Sequence, residues 1–99
     1  MLKGKQIRYL RRLSHHVKPV MQIGKNGITE NFLHTFFDAI NAHELVKVSV
    51  LDNCLEDKTD LANIICENVG CELVQIIGNQ LIFYRPSNKE NNKRIILPQ

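Results

Sequence analysis

The N-terminal segment has apolar residues on one helical stripe and bases on the other side. Its apolar positions recur at spacings of three, three and four, at Ile7, Leu10, Leu13 and Val17. This spacing predicts an amphipathic helix over roughly residues 4–16. At 100° per residue the opposite side of that helix is basic, with Lys5, Arg8 and Arg12 together and Arg11 at the flank.

A short strand and a second helix are predicted next. Pro19 excludes the helical conformation for Lys18, so the first helix should end there, and Val20, Met21 and Ile23 then form a strand. Thr29 is a suitable N-cap for the second helix. Its apolar residues follow helical spacing: Ile28, Phe32, Leu33, Phe36, Phe37 and Ile40.

The rest of the chain continues the alternation of strand and helix. Strict alternation from Val46 to Val50 predicts a half-buried strand with Lys47 and Ser49 facing outward. A third helix carries Leu61, Ile64, Ile65 and Val69, and Gly70 is placed to follow its last residue. Gly78-Asn79 between two apolar runs, 72–77 and 80–84, predicts a β-hairpin.

These elements predict one domain over residues 1–99 in the order α-β-α-β-α-β-β. Helices between strands imply parallel pairing, and the hairpin adds an antiparallel strand, so we expect a mixed four-stranded sheet in a two-layer α/β fold. Residues 87–99 are expected to form a partly mobile tail. Its stretch 87–93 is polar, and Ile95-Ile96-Leu97 should return as a short edge strand or pack as a tail.

The charges are sorted along the chain. Residues 1–27 contain seven Lys and Arg residues and no acid, whereas residues 28–84 contain two bases and nine acids. The tail from Arg85 adds four bases and one acid. Such sorting predicts one surface that attracts polyanions and another that repels them, although a merely solubilising surface remains an alternative.

The sequence Gly24-Lys25-Asn26-Gly27 joins the first strand to the second helix. Glycines let a backbone approach phosphate closely, and the following helix N-terminus offers unpaired N–H groups. A plain turn is the simpler interpretation of a G-x-x-G sequence. Its position between strand and capped helix, at the end of the acid-free segment, favours phosphate contact.

Other classes of protein lack support in the sequence. The four histidines form no metal-binding or catalytic pattern, so we expect no enzyme, metal, cofactor or small-molecule substrate. Three cysteines match no disulfide framework and are expected to be reduced and mostly buried. No apolar run reaches about 18 residues and no secretory h-region follows the basic start, which predicts a cytosolic protein with no membrane partner.

Four sequence blocks occur in a distinctive order. They are His15 with Lys18-Pro19-Val20; IGKNGITE at 23–30; HELVKV at 43–48; and VQIIG at 74–78 with LIFYRP at 81–86. In this order they resemble the YhbY-like proteins, stand-alone bacterial members of the CRM (chloroplast RNA splicing and ribosome maturation) domain group. The resemblance runs from about Leu2 to Pro98. The acids of the third helix region and the three cysteines are not part of this pattern.

The resemblance implies an RNA-binding domain similar in fold to the C-terminal domain of bacterial translation initiation factor three. It also implies a role with ribosomal RNA in precursor large subunits. We expect a monomer whose RNA contacts are Lys5, Arg8, Arg12, Lys18, Gly24, Lys25, Asn26 and Gly27, with Lys47 and Arg85 as secondary candidates because they are predicted to be exposed bases. Two rivals remain: a protein-interaction module that docks a basic partner on the acidic third helix, and an RNA-modifying enzyme such as a nuclease.

Overall fold

The computed structural model describes residues 2–86 and Leu97. The chain forms seven elements in the predicted order: α1 (Gly4–Ser14), β1 (Met21–Ile23), α2 (Glu30–His43), β2 (Leu45–Val50), α3 (Lys58–Val69), β3 (Glu72–Ile77) and β4 (Gln80–Tyr84). The predictions for residues 87–96 lie outside the described part of the chain. No helix within the described part is long and apolar enough to cross a membrane.

The four strands form one mixed sheet in the order β1-β2-β4-β3. Strand β1 pairs parallel with β2, while β4 pairs antiparallel with both β2 and β3. At one end of the sheet, hereafter the loop end, lie the segment after β1, the segment after β2 and the β3–β4 turn. At the other end, hereafter the foot, β1 and β2 begin and β4 ends. Strand β1 is an edge strand, because it is the first in the order of the sheet, and it runs from the foot towards the loop end.

Local capping signals explain why the helices begin and end where they do. The Thr29 side chain accepts a hydrogen bond from the Phe32 N–H at 3.0 Å, which confirms the predicted N-cap of α2. Asp57 caps α3 by accepting from the N–H groups of Thr59 and Asp60. Gly70 ends α3 in the left-handed conformation, with φ of 75°. The side chains of Thr29 and Asp57 satisfy N–H groups at the helix N-termini, and the Gly70 N–H donates to the Cys66 carbonyl oxygen at the end of α3.

Most of the core lies between the sheet and the pair α2 and α3. This larger cluster contains fourteen buried residues, among them Phe36, Leu61, Ile65 and Phe83. The rings of Phe36 and Phe83 meet edge to face, with centroids 5.2 Å apart. Apolar burial on this face accounts for most of the hydrophobic stabilisation.

Helix α1 covers the other face of the sheet. Leu10 is fully buried there in a cluster with Leu45, Val74, Ile82 and Tyr84. The mixed α/β fold and the four-stranded sheet are confirmed, but the helices flank the sheet on both sides, where two layers were expected. The reason is that the apolar stripe of α1 needs a sheet face of its own, because α2 and α3 already cover the first.

Candidate nucleic-acid interface

The outer side of α1 is a continuous basic surface. Its four bases are exposed: Lys5, Arg8, Arg11 and Arg12. Leu10 fixes the inner side of the helix, and the Ser14 hydroxyl donates to the Arg11 carbonyl oxygen at 2.6 Å near the C-terminus. No ion pair within the described residues neutralises these four side chains, so their charges are available to a ligand.

Two further bases flank the edge strand β1. Lys18 lies just before the strand and Lys25 just after it, and both are exposed. Six residues lie between them, and the seven Cα–Cα steps limit their Cα atoms to at most about 25 Å apart. The edge of the sheet thus carries a positive charge at each end of β1.

The Gly24–Gly27 segment is a tight turn. The Gly27 N–H donates to the Gly24 carbonyl oxygen at 3.0 Å, which places Lys25 and Asn26 at an exposed tip. Gly27 has φ of 65°, a left-handed conformation that glycine adopts without strain. The N–H groups of Lys25 and Asn26 make no hydrogen bond within the described residues. They are the backbone donors that this turn can offer to an anion.

An acidic loop packs against this turn, which the sequence did not predict. A Cβ atom built on Gly27 would overlap the Glu56 carboxylate, so that carboxylate occupies the space beside the glycine. Asn53 Oδ1 and Leu51 Cδ1 lie close to Gly24 without overlap, each 3.6 Å from a Cβ atom built on that glycine. The segments after β1 and β2 meet because parallel strands end at the same side of a sheet.

The predicted site residues form two groups. Leu13, Val17 and Val20 line one groove at the foot, which places the C-terminal end of α1 and Lys18 there. The Gly24–Gly27 turn lies at the loop end, across the length of β1. The structure places Arg12, in the last turn of α1, and Lys18 at the foot, and it separates both from Lys25.

The two secondary candidates do not meet the condition on which they were chosen, because neither is an exposed base. Lys47 is only 8% exposed. Strand alternation does turn it away from Val46 and Val48, but that face is the one that α1 covers. Arg85 is half-buried; its guanidinium donates to the Asn41 Oδ1 at 3.0 Å and lies 5.3 Å from the centre of the Phe37 ring. These contacts give Arg85 a structural role at the end of β4.

Glu44 is a second feature that sequence reasoning missed. It follows the last residue of α2, its side chain is fully buried and its φ is 64°. Its carbonyl oxygen accepts from the Arg85 N–H at 2.9 Å. No local signal marks this position, since glutamate is neither a usual buried residue nor a usual left-handed one.

The shifted pKa values belong to buried groups outside the basic surface. The thiol of Cys71 donates to the Cys66 sulfur at 4.0 Å, which raises the pKa of Cys71 and lowers that of Cys66. Burial raises the pKa of Tyr84. All three cysteines are free; Cys71 is buried and the other two are half-buried. Within the described residues no group of His, Cys, Asp or Glu side chains could hold a metal ion.

The fold and the charged surface together define a small α/β binding domain with a mixed sheet, a basic helix on one face and a Gly-Lys-Asn-Gly turn at its edge. The sequence signature of the CRS1/YhbY (CRM) domain matches residues 2–85. The chain belongs to this family, and the resemblance seen in the sequence is confirmed.

Relatives support this assignment over nearly the whole chain. Probable RNA-binding protein YqeI of Bacillus subtilis is 46% identical over 98 residues, which cover 99% of this chain and 100% of the relative. A protein of Haemophilus influenzae named RNA-binding protein is 41% identical over 88 residues, 89% of each chain. The solution structure of the hypothetical protein SAV1595 from Staphylococcus aureus is 48% identical and superposes with a TM-score of 0.81, over 99% of this chain and 100% of that chain.

Proposed function

We propose that this protein is a non-catalytic RNA-binding factor that holds the RNA backbone along α1 and the β1 edge. The observation that carries the proposal is the set of exposed bases on α1, continued by Lys18 and Lys25. Lysine and arginine side chains bind nucleic acids mainly by neutralising phosphates, which displaces counterions. The names of the relatives, which describe RNA-binding proteins, agree with this use of the surface.

The Gly24–Gly27 turn would seat one or two further phosphates. Its exposed Lys25 supplies charge, and the two N–H groups at the tip supply hydrogen-bond donors. Phosphate contacts of this kind fix the position of a nucleic acid without reading its sequence. We therefore expect binding that depends strongly on salt and weakly on base sequence.

The RNA that we propose is ribosomal RNA in precursors of the large subunit, bound by a monomer in the cytosol. This part rests on the four sequence blocks shared with the YhbY-like proteins. Crosslinking in cells, followed by sequencing of the bound RNA, tests it directly. Crosslinks spread over messenger RNA, without enrichment in precursor ribosomal RNA, would contradict it.

Binding itself is tested by fluorescence anisotropy on a ribosomal RNA fragment over a salt series. We expect log affinity to fall linearly with log salt, with a slope of about 0.7 for each neutralised phosphate of a single strand. Gel analysis of the same RNA after incubation should show unchanged length. Shortened or modified RNA would favour the enzyme instead, and affinity independent of salt would contradict the proposed surface.

A second candidate function is the docking of a basic protein partner on the acidic side. The observation that favours it is Leu55, which is 96% exposed between acids at positions 52, 56, 57 and 60. A single exposed apolar residue is common on protein surfaces, but the acids around Leu55 would attract a basic partner. A pull-down that is sensitive to salt and resistant to ribonuclease, and that is lost on Leu55→Ser substitution, would support this function.

A further inference from the structure

A groove at the foot of the sheet combines apolar walls with a basic rim. It has a volume of about 460 Å³ and lies where α1 and α2 both end. Its apolar walls include Leu13, Val17, Val20 and Leu45, and its polar rim is formed by His16, Lys18 and His43. A volume of this size is sufficient for a small planar ligand.

Val20 shows that the groove is open to solvent. Its side chain is 53% exposed, although its N–H is tied to the Lys47 carbonyl oxygen at 3.0 Å. The backbone of this wall is therefore held by the sheet, while its apolar side chain remains half exposed. The site is preformed, because its walls belong to α1, to the sheet and to the segment that joins them.

The charges around the groove favour a ligand carried by a polyanion. No Asp or Glu lines this groove among the described residues, whereas Asp52, Glu56 and Asp57 line a groove of similar size at the loop end. The last turn of α1, which carries Arg11 and Arg12 of the basic surface, also contributes Leu13 to the groove. An RNA strand whose phosphates lie on that surface would bring its bases to the groove.

We propose that this groove binds an unstacked nucleobase of single-stranded RNA. Single-stranded RNA presents bases that can turn out of the stack and enter apolar sites. A neutral imidazole has one donor and one acceptor, and lysine has three donors, so His16, His43 and Lys18 match the mixed polar edges of a base. No aromatic side chain among the described residues lines the groove, so the base would be held by aliphatic contact and by these rim groups. The inference rests on the proposed RNA-binding function and adds a base contact to it.

The first test compares single-stranded and duplex forms of one ribosomal RNA fragment by fluorescence anisotropy. Val20→Ala should lower affinity for the single strand by about five- to tenfold, because it removes part of the apolar wall. Affinity for the duplex and the salt slope should stay as in the parent, since no phosphate contact is lost. Ile77→Ala is the matched control, because Ile77 is 44% exposed at the loop end; it should bind like the parent. Circular dichroism melts check the fold of both variants.

The second test detects the base directly by NMR with methyl-labelled protein. Adenosine 5′-monophosphate and uridine 5′-monophosphate should shift the methyl signals of Val17, Val20 and Leu45. Ribose 5-phosphate, which has the phosphate without the base, should leave these signals in place.

The outcomes separate this inference from the function on which it rests. Suppose that the parent binds RNA and that Val20→Ala binds the single strand and the duplex as tightly as the parent does. In that case the groove has another occupant, such as an apolar side chain of a protein, and the inference is wrong. Equal losses of affinity for the single strand and for the duplex would mean that the groove contacts the RNA backbone, which would also overturn the inference. If the parent protein binds neither the single-stranded nor the duplex RNA, the proposed function itself is wrong.

Discussion

The two faces of the sheet differ both in packing and in the charge of the helices that cover them. The cluster between the sheet and the pair α2 and α3 contains fourteen buried residues, whereas the cluster between the sheet and α1 contains five. The outer side of α1 is basic, and the start of α3 is acidic. Stability therefore depends mainly on one face, while the surface proposed for RNA belongs to the other. Substitutions can test this separation one face at a time.

The largest effect is expected on the stability of the larger face. Phe36→Ala should lower the free energy of unfolding by about 3–5 kcal/mol, because it leaves a cavity where the ring meets Phe83. In a chain of 99 residues this loss is a large share of the total stability, which is about 5–15 kcal/mol. Thermal denaturation measures it, and Phe37→Ala, at a 42% exposed neighbour, should change the melting temperature far less. A normal melting temperature for Phe36→Ala combined with lost RNA binding would contradict the assignment to the core.

The second largest effect is expected on RNA affinity when bases of α1 are replaced, with no change in the melting temperature. Replacing Arg8 and Arg12 together by Gln should weaken RNA affinity by about 10- to 100-fold at low salt, because two exposed charges are lost. The matched control replaces both by Lys, which keeps the charge. Anisotropy and thermal denaturation of both variants give the answer. Parent-like affinity for the Gln variant would exclude α1 from the interface.

A smaller effect is expected at the Gly24–Gly27 turn. Lys25→Ala should lower the slope of log affinity against log salt by about 0.7–0.9, the value for one phosphate contact. Gly27→Val keeps the charge but forces a β-branched side chain into a left-handed conformation and against Glu56, so it should also lower affinity. Anisotropy over a salt series, with circular dichroism as the folding control, tests both. Two variants that bind like the parent would leave α1 and Lys18 to hold the RNA without the turn.

Neutralising Glu56 should act in the opposite direction. Its carboxylate lies beside Gly27, where it repels an approaching phosphate, so Glu56→Gln should raise RNA affinity by about two- to threefold at low salt. Glu67→Gln is the control, because Glu67 is an exposed acid on α3. The same anisotropy assay applies. Weaker binding by Glu56→Gln would mean that the carboxylate helps to shape the turn.

The smallest effect is expected at the start of α3. A double substitution, Asp57→Asn with Asp60→Asn, should not weaken RNA affinity at fixed salt, because these acids would repel phosphate at short range and α3 lies on the face of the sheet away from α1. Asparagine also serves as an N-cap, so the cap of α3 should persist. A clear loss of affinity in the same assay would place α3 in the interface.

Features set by neighbouring residues were predictable, and features set by distant contacts were not. The Thr29 cap, the end of α3 at Gly70 and the hairpin at Gly78-Asn79 depend on a few adjacent residues, and all three are confirmed. The burial of Lys47 depends on α1, more than thirty residues away, and alternation in a strand cannot reveal which helix covers each face. The contact of Glu56 with Gly27 likewise depends on the parallel pairing of β1 with β2.

The position of β4 in the sheet has a consequence for the order of events during synthesis. Strand β2 receives its antiparallel partner only when residues 80–84 have left the ribosome, because β4 lies between β2 and β3. The apolar side of α1 packs on Val74, Ile82 and Tyr84, so its docking site is absent until then. A domain generally folds as a unit, and synthesis delivers its N-terminal part first. The basic helix is thus made first and docks last, and a nascent chain shorter than about 84 residues would present its charges on an undocked segment.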